Sequence, residues 1–84
     1  MANLPGDPLA TLANITALID QDGQITLGHV TPIGSVALAK DQDHNCLAAL
    51  KRQPGESLYQ LLVRLDAAIV RAWDDEVFTD EING

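Results

Sequence analysis

PGESLYQLLVRLDAAIVRAWDDEVF, Pro54 to Phe78, is the stretch on which the reading of this chain turns. Leu58, Leu61, Leu62, Leu65, Ala68, Ile69 and Ala72 recur at the three-and-four spacing of a helix that buries one face. Ser57 followed three residues later by Gln60 fits a capping box, the hydroxyl taking a free backbone N–H and the amide reaching back. Pro54 and Gly55 punctuate the chain just before, and Leu58–Val77 contains neither glycine nor proline. A long helix is predicted there. Its apolar arc is wider than one core contact needs. Val63, Val70 and Val77 lie seven apart, Tyr59 and Trp73 lie close to them, and Gln60, Arg64, Ala67, Arg71 and Asp75 mark the wet side. Two readings of this second stripe stand. Either the valines pack at the edge of a thin core, or the stripe is a partner surface anchored by Tyr59 and Trp73, residue types enriched at binding hot spots.

Outward from the helix, the 84-residue chain is long enough for one domain. A chain of this size buries only about 60–65% of its unfolded surface, so association would add to its stability. One Trp, one Tyr and one Phe leave an aliphatic core. Twelve acids against five bases give a net charge of −7. That argues against direct nucleic-acid binding, which needs cations to displace phosphate counterions, and against docking on an anionic membrane. It suits a partner with a basic patch. One cysteine excludes an intramolecular disulfide. With no leader-like or membrane-spanning apolar run, a cytoplasmic location is expected.

In chain order, residues 1–8 hold two prolines and a glycine and are expected to form a flexible arm. Residues 9–78 are expected to form one α+β domain, and residues 79–84 an acidic tail. Leu9–Asp20 supports two patterns. Asp7-Pro8 starts a helix well, and Leu9, Leu12, Ile15 and Ile19 share a helical face. Yet Ile15, Ala17 and Ile19 also alternate as a strand. Gln21-Asp22-Gly23 is good hairpin chemistry, with Gly23 expected in the left-handed conformation, and it favours the strand. Gln24–Val30 alternates as a strand. Asp41-Gln42-Asp43 echoes Asp20-Gln21-Asp22, with apolar runs at Val36–Ala39 and Cys46–Leu50, so two similar hairpins are expected. Thr31-Pro32-Ile33-Gly34 joins them. The predicted fold is an antiparallel sheet of three or four strands with the C-terminal helix packed on one face; the alternative order is α-β-β-β-α. Ile15, Ile19, Ile25, Leu27, Val36 and Leu38 are expected under the helix, and Thr16, Thr26, Ala37 and Ala39 on the opposite face.

The candidate chemistries are weak. Asp20, Asp22 and Gln24, or Asp41, Asp43 and Asn45, sit at calcium-loop spacing, but the required glycine is Ile25 or Cys46 and the closing acid is Thr31 or Arg52. His29, His44 and Cys46 match no zinc spacing. Cys46 near His44 is the one nucleophile–base pair, but Cys46 lies in an apolar run and reads as a small buried hydrophobe. No phosphate-binding or dinucleotide motif occurs. The expectation is no enzyme, no metal and no cofactor.

The tail region packs Asp74, Asp75, Glu76, Asp80 and Glu81 into eight residues, with Phe78 among them expected to fold back on the body. Two strands followed by Gly55-Glu56-Ser57-Leu58-Tyr59-Gln60-Leu61-Leu62 resemble the strand–strand–helix core of HicB-type antitoxins, in which a glycine and a Ser/Thr cap open a helix rich in Glu, Ala and Leu. The proline-glycine-cysteine loop of that family is absent. The resemblance implies a small acidic protein that neutralises a basic partner. The expected function is therefore a small acidic, non-enzymatic interaction module. It would be a homodimer or a subunit of an assembly, associating through Tyr59, Val63, Val70, Trp73 and Val77. The alternative is an acidic inhibitor of a basic protein, of phage or plasmid type, that mimics nucleic-acid charge and binds through Asp74, Asp75, Glu76, Asp80 and Glu81.

Overall fold

The computed structural model describes residues 12–82; the expected arm at residues 1–8 lies outside them. The elements run α1 (Ala13–Asp20), β1 (Gln24–Val30), β2 (Gly34–Lys40), β3 (Cys46–Lys51), α2 (Leu58–Asp75) and β4 (Thr79–Asp80). The fold is α+β, with a four-stranded sheet in the order β1-β2-β3-β4 and the long helix packed on it. β1, β2 and β3 form an antiparallel meander, while β4 lies parallel to β3 after the α2 crossover.

Of the two patterns in residues 9–20, the helical one holds over Ala13–Asp20. Gln21-Asp22-Gly23 is not a hairpin loop but the C-terminal closure of α1. The Gly23 N–H donates to the Leu18 carbonyl (2.9 Å) and the Asp22 N–H to the Ile19 carbonyl (3.1 Å), the two bonds of a Schellman motif. Asp22, not Gly23, takes the left-handed conformation (φ 67°). Gly23 is needed for another reason: a Cβ there would sit 2.6 Å from the Leu18 side chain. Both hairpins exist, but they are β1–β2, turning at residues 31–33 onto Gly34 (φ 107°), and β2–β3, turning at residues 41–45.

α1 lacks a cap of its own, because Leu12 occupies the cap position. Asp66 on α2 supplies one. Its Oδ1 accepts the Asn14 and Ile15 N–H groups and its Oδ2 accepts Asn14 Nδ2, all at 2.9 Å. These N–H groups are among the orphan donors that a helix leaves at its start. A side chain 52 residues away thus fixes where α1 begins and ties it to α2.

The core contains Leu12, Leu18, Leu50, Leu61, Leu65 and Ile69, packed on Ala37, Ala39 and Ala48. This inverts the expected faces of β2, while Ile25 and Leu27 of β1, opposite Ala39 and Ala37, lie on the covered face as expected. Ala37 and Ala39, both 0% exposed, lie under the helices. Val36 and Leu38 therefore point to the other face, because successive strand residues alternate. Small residues on the covered face let two helices approach the sheet closely. Ile25 is partly buried against the core, but Leu27 and Ile19 are exposed. A bulge completes the arrangement. Ala39 pairs with Ala48 and Lys40 with Cys46, so Leu47 is the extra residue. A bulge turns neighbouring side chains to one side, and Leu47 and Ala48 both join the core.

The capping box at α2 forms as its sequence predicts. The Gln60 N–H donates to Ser57 Oγ (3.0 Å) and the Ser57 N–H to Gln60 Oε1 (2.8 Å). Leu58, expected in the buried stripe, is the first residue of α2 and is 49% exposed.

Candidate interaction surface

An α-helix turns about 100° per residue. With Leu65 at the centre of the buried arc of α2, Leu61, Ala68, Ile69 and Ala72 lie within about 60° of it, and Tyr59, Val63 and Val70 about 120–160° round. Tyr59 and Val63 are exposed, whereas Val70 is half-buried. Trp73 falls about 80° from the centre, at the margin of the core, where it lines a crevice with Leu18 and the Asp41–Asp43 turn. The stripe is therefore two patches joined by Val70. One is Tyr59 and Val63, bordering a shallow recess at Pro54 and Gly55. The other is Trp73 and Val77, with Phe78 beside them. Phe78 does not fold back: it is 58% exposed on a groove shared with Leu47, Trp73 and Cys46.

The five acids divide into two sets. Asp74, Asp75 and Glu76 are consecutive and exposed at the end of α2. There the chain leaves the helix through Glu76 in the left-handed conformation (φ 55°), and the following Val77 N–H donates to the Arg71 carbonyl (3.2 Å). Asp80 lies in β4 and accepts the Ile82 N–H (3.0 Å). Glu81 is engaged inside the fold. Its Oε1 accepts the Lys51 N–H (3.0 Å), its Oε2 accepts Arg64 Nη1 (2.8 Å), and its own N–H donates to the Ala49 carbonyl (2.8 Å).

Arg64 is the residue that sequence reasoning left on the wet side. Its Nε and Nη2 donate to the two Glu56 oxygens (2.6 and 3.0 Å), Nη1 to Glu81, and Nη2 also to the Lys51 carbonyl (2.9 Å). One guanidinium thus joins α2, the end of β3, the loop before α2 and the segment after β4. The hydrogen bond from Arg64, with the Gln53 N–H beside it, holds the Glu56 carboxyl at about 2, against an ordinary 4.5. Glu56 in turn raises the Arg64 pKa. The sequence signal for this hub was slight: an acid just before the cap and an arginine two turns into the helix.

The second Asp-Gln-Asp turn is self-contained. Asp41 accepts the Asp43 and Asn45 N–H groups (2.9 Å each) and Asn45 Nδ2 (3.1 Å). The Asn45 backbone bond, foremost, lowers the Asp41 pKa. His44 takes the left-handed conformation in this turn (φ 67°). Cys46 is exposed rather than buried, because the bulge turns Leu47 inward in its place; its thiol donates to the Ala48 carbonyl (3.6 Å). His29 is exposed on β1. Among the described residues, no three His, Cys, Asp or Glu side chains are grouped to hold a metal ion, and no helix is long and apolar enough to cross a membrane. No protein-family model matches the chain, and neither a characterised protein nor a solved structure is significantly similar to it.

Proposed function

We propose that the protein is a small acidic, non-enzymatic interaction module that joins a second copy or another subunit through the outer side of α2. The observation that carries this reading is the exposure of Tyr59, Val63 and Trp73 along α2, whose opposite side is buried, and of Val77 just past its end, all between 37% and 45%. Tyr and Trp are among the residue types enriched at interface hot spots. Val63→Glu is the cleaner probe than Val70→Glu, because Val70 is half-buried. Val63→Glu should leave the circular-dichroism spectrum and melting unchanged and abolish association in light scattering or pull-down. Association that survives Val63→Glu and Tyr59→Ala together would remove α2 from consideration.

A second reading is an acidic inhibitor of a basic protein. Asp74, Asp75 and Glu76 favour it, three exposed acids adjoining Trp73 and Val77. Glu81 belongs to the fold in this reading and not to the partner surface. Binding of this kind should weaken steeply with salt, and Asp74→Asn with Asp75→Asn should slow association more than dissociation. Salt-independent binding would leave only the apolar reading.

A further inference from the structure

We infer that the outer edge of β1 pairs antiparallel with β1 of a second copy, extending the sheet to eight strands across a twofold axis at Leu27. Among the described residues, β2 occupies one side of β1 and nothing pairs with the other. An unpaired edge offers a row of backbone N–H and C=O groups, which only another extended strand satisfies in full. Natural edges are blunted by shortness, by lysine or proline, by a bulge or by a cover. Among the described residues, β1 has none of these. It runs for seven residues, QITLGHV, and pairs with β2 without a register break. The opposite edge is blunted, as described above, by β4 and Glu81.

Charge points to the occupant. In a chain of net charge −7, β1 is the one element among the described residues with no Asp, Glu, Lys or Arg. Two copies meeting there place no acids opposite one another. The pattern is also self-complementary. With Leu27 on the axis all seven residues overlap, and the cross-strand pairs are Gln24 with Val30, Ile25 with His29, Thr26 with Gly28, and Leu27 with itself. An isologous interface requires this kind of match. The axis stands perpendicular to the sheet, so both helical layers lie on one face. Leu27, 43% exposed because the helices cover β2 and β3 more than β1, would then be buried against its own copy. This interface is separate from the α2 surface, and each can fail alone.

The test uses the full chain in a Cys46→Ser background. Leu27→Cys should oxidise to a disulfide-linked dimer, because residues directly opposite in an antiparallel pair have Cα atoms about 4.5–5.5 Å apart, within disulfide reach. Ile19→Cys, exposed on α1, should not. In sedimentation velocity the unmodified chain should be a dimer that tightens as salt screens the mutual repulsion of two acidic copies. Thr26→Lys with Leu27→Lys should weaken it at least about 100-fold while circular dichroism stays native. A monomeric unmodified chain, or a dimer indifferent to both lysines, overturns the inference. A dimer lost in Val63→Glu but kept in the lysine variant assigns self-association to α2 instead.

Discussion

At one edge of the sheet, β3 is finished by its own chain: Thr79 and Asp80 pair with it, and the Glu81 carboxylate takes the Lys51 N–H where the next strand residue would. At the other edge, nothing among the described residues pairs with the outer side of β1. Arg64 clamps the first edge from α2. Nothing comparable among the described residues reaches the second. The difference follows from where the helices lie. α2 rests on β3 and β2, so a segment leaving its C-terminus falls naturally beside β3. α1 is short, and Ile25 is the one β1 residue that is partly buried. The described residues hold two helices to cover four strands, and the least covered strand is the one with the most to gain from a partner.

The contrast can be broken most sharply by one substitution made twice. Leu27, Ala37 and Leu50 form one cross-strand row on the helix-covered face. Leu50 is 1% exposed and Leu27 43%. Leu50→Ala should cost about 2–5 kcal/mol in urea unfolding, from lost burial and the cavity left behind. Leu27→Ala should cost under about 1 kcal/mol in the monomer. Equal losses would mean that the helical layer covers β1 as fully as β3. A middle-sized effect is expected at the helix that reaches β1. Asp66→Ala should cost about 1–2 kcal/mol, the price of a lost cap and two orphaned N–H groups. Hydrogen exchange should accelerate first at Asn14 and Ile15, then along β1, with β3 little changed. A uniform acceleration would show that α1 and the β1 edge are not a separable unit.

How much of this was legible depended on whether one physical cause had one outcome. α2 was legible because its period, its capping box and the absence of breakers all agree. The three long strands were legible from alternation between turn residues. α1 was not, because Asp22-Gly23 serves a hairpin loop and a helix C-terminus equally well; both need a left-handed residue followed by a tight approach. The sheet faces were not, because Val36-Ala37-Leu38-Ala39 is apolar on both sides. Hydrophobicity favours the larger residues for the core, but close-packed helices require the smaller ones. On the candidate surface, Tyr59 and Val63 could be placed on the outer side from helical geometry alone. The engagement of Glu81 could not, since it depends on Arg64 and on a parallel strand pair that only the folded chain creates.

The smallest effect expected is a local one, and it follows from the Glu56 carboxyl. Arg64, first, and the Gln53 N–H hold that group at about 2 in the folded chain, against 4.5 ordinarily. A folded value below the unfolded one means that the contribution is fully present above 4.5 and is lost as pH falls from there through about 2. Asp41, also lowered, works in the same direction at the β2–β3 turn. Protonating Glu56 removes the bidentate partner of Arg64, which then holds Glu81 and the Lys51 carbonyl with less orientation. The closed edge should therefore loosen before the molecule unfolds. Between pH 4.5 and about 2, the amides of Lys51 and Glu81 should lose exchange protection, while those of the β1–β2 ladder keep theirs until global unfolding. Glu56→Gln should flatten this response in that window and leave the Asp41 turn titrating as before. If both edges lost protection together in the unmodified chain, the clamp would be part of the global cooperative unit, and β3 would owe its closed edge to β4 alone.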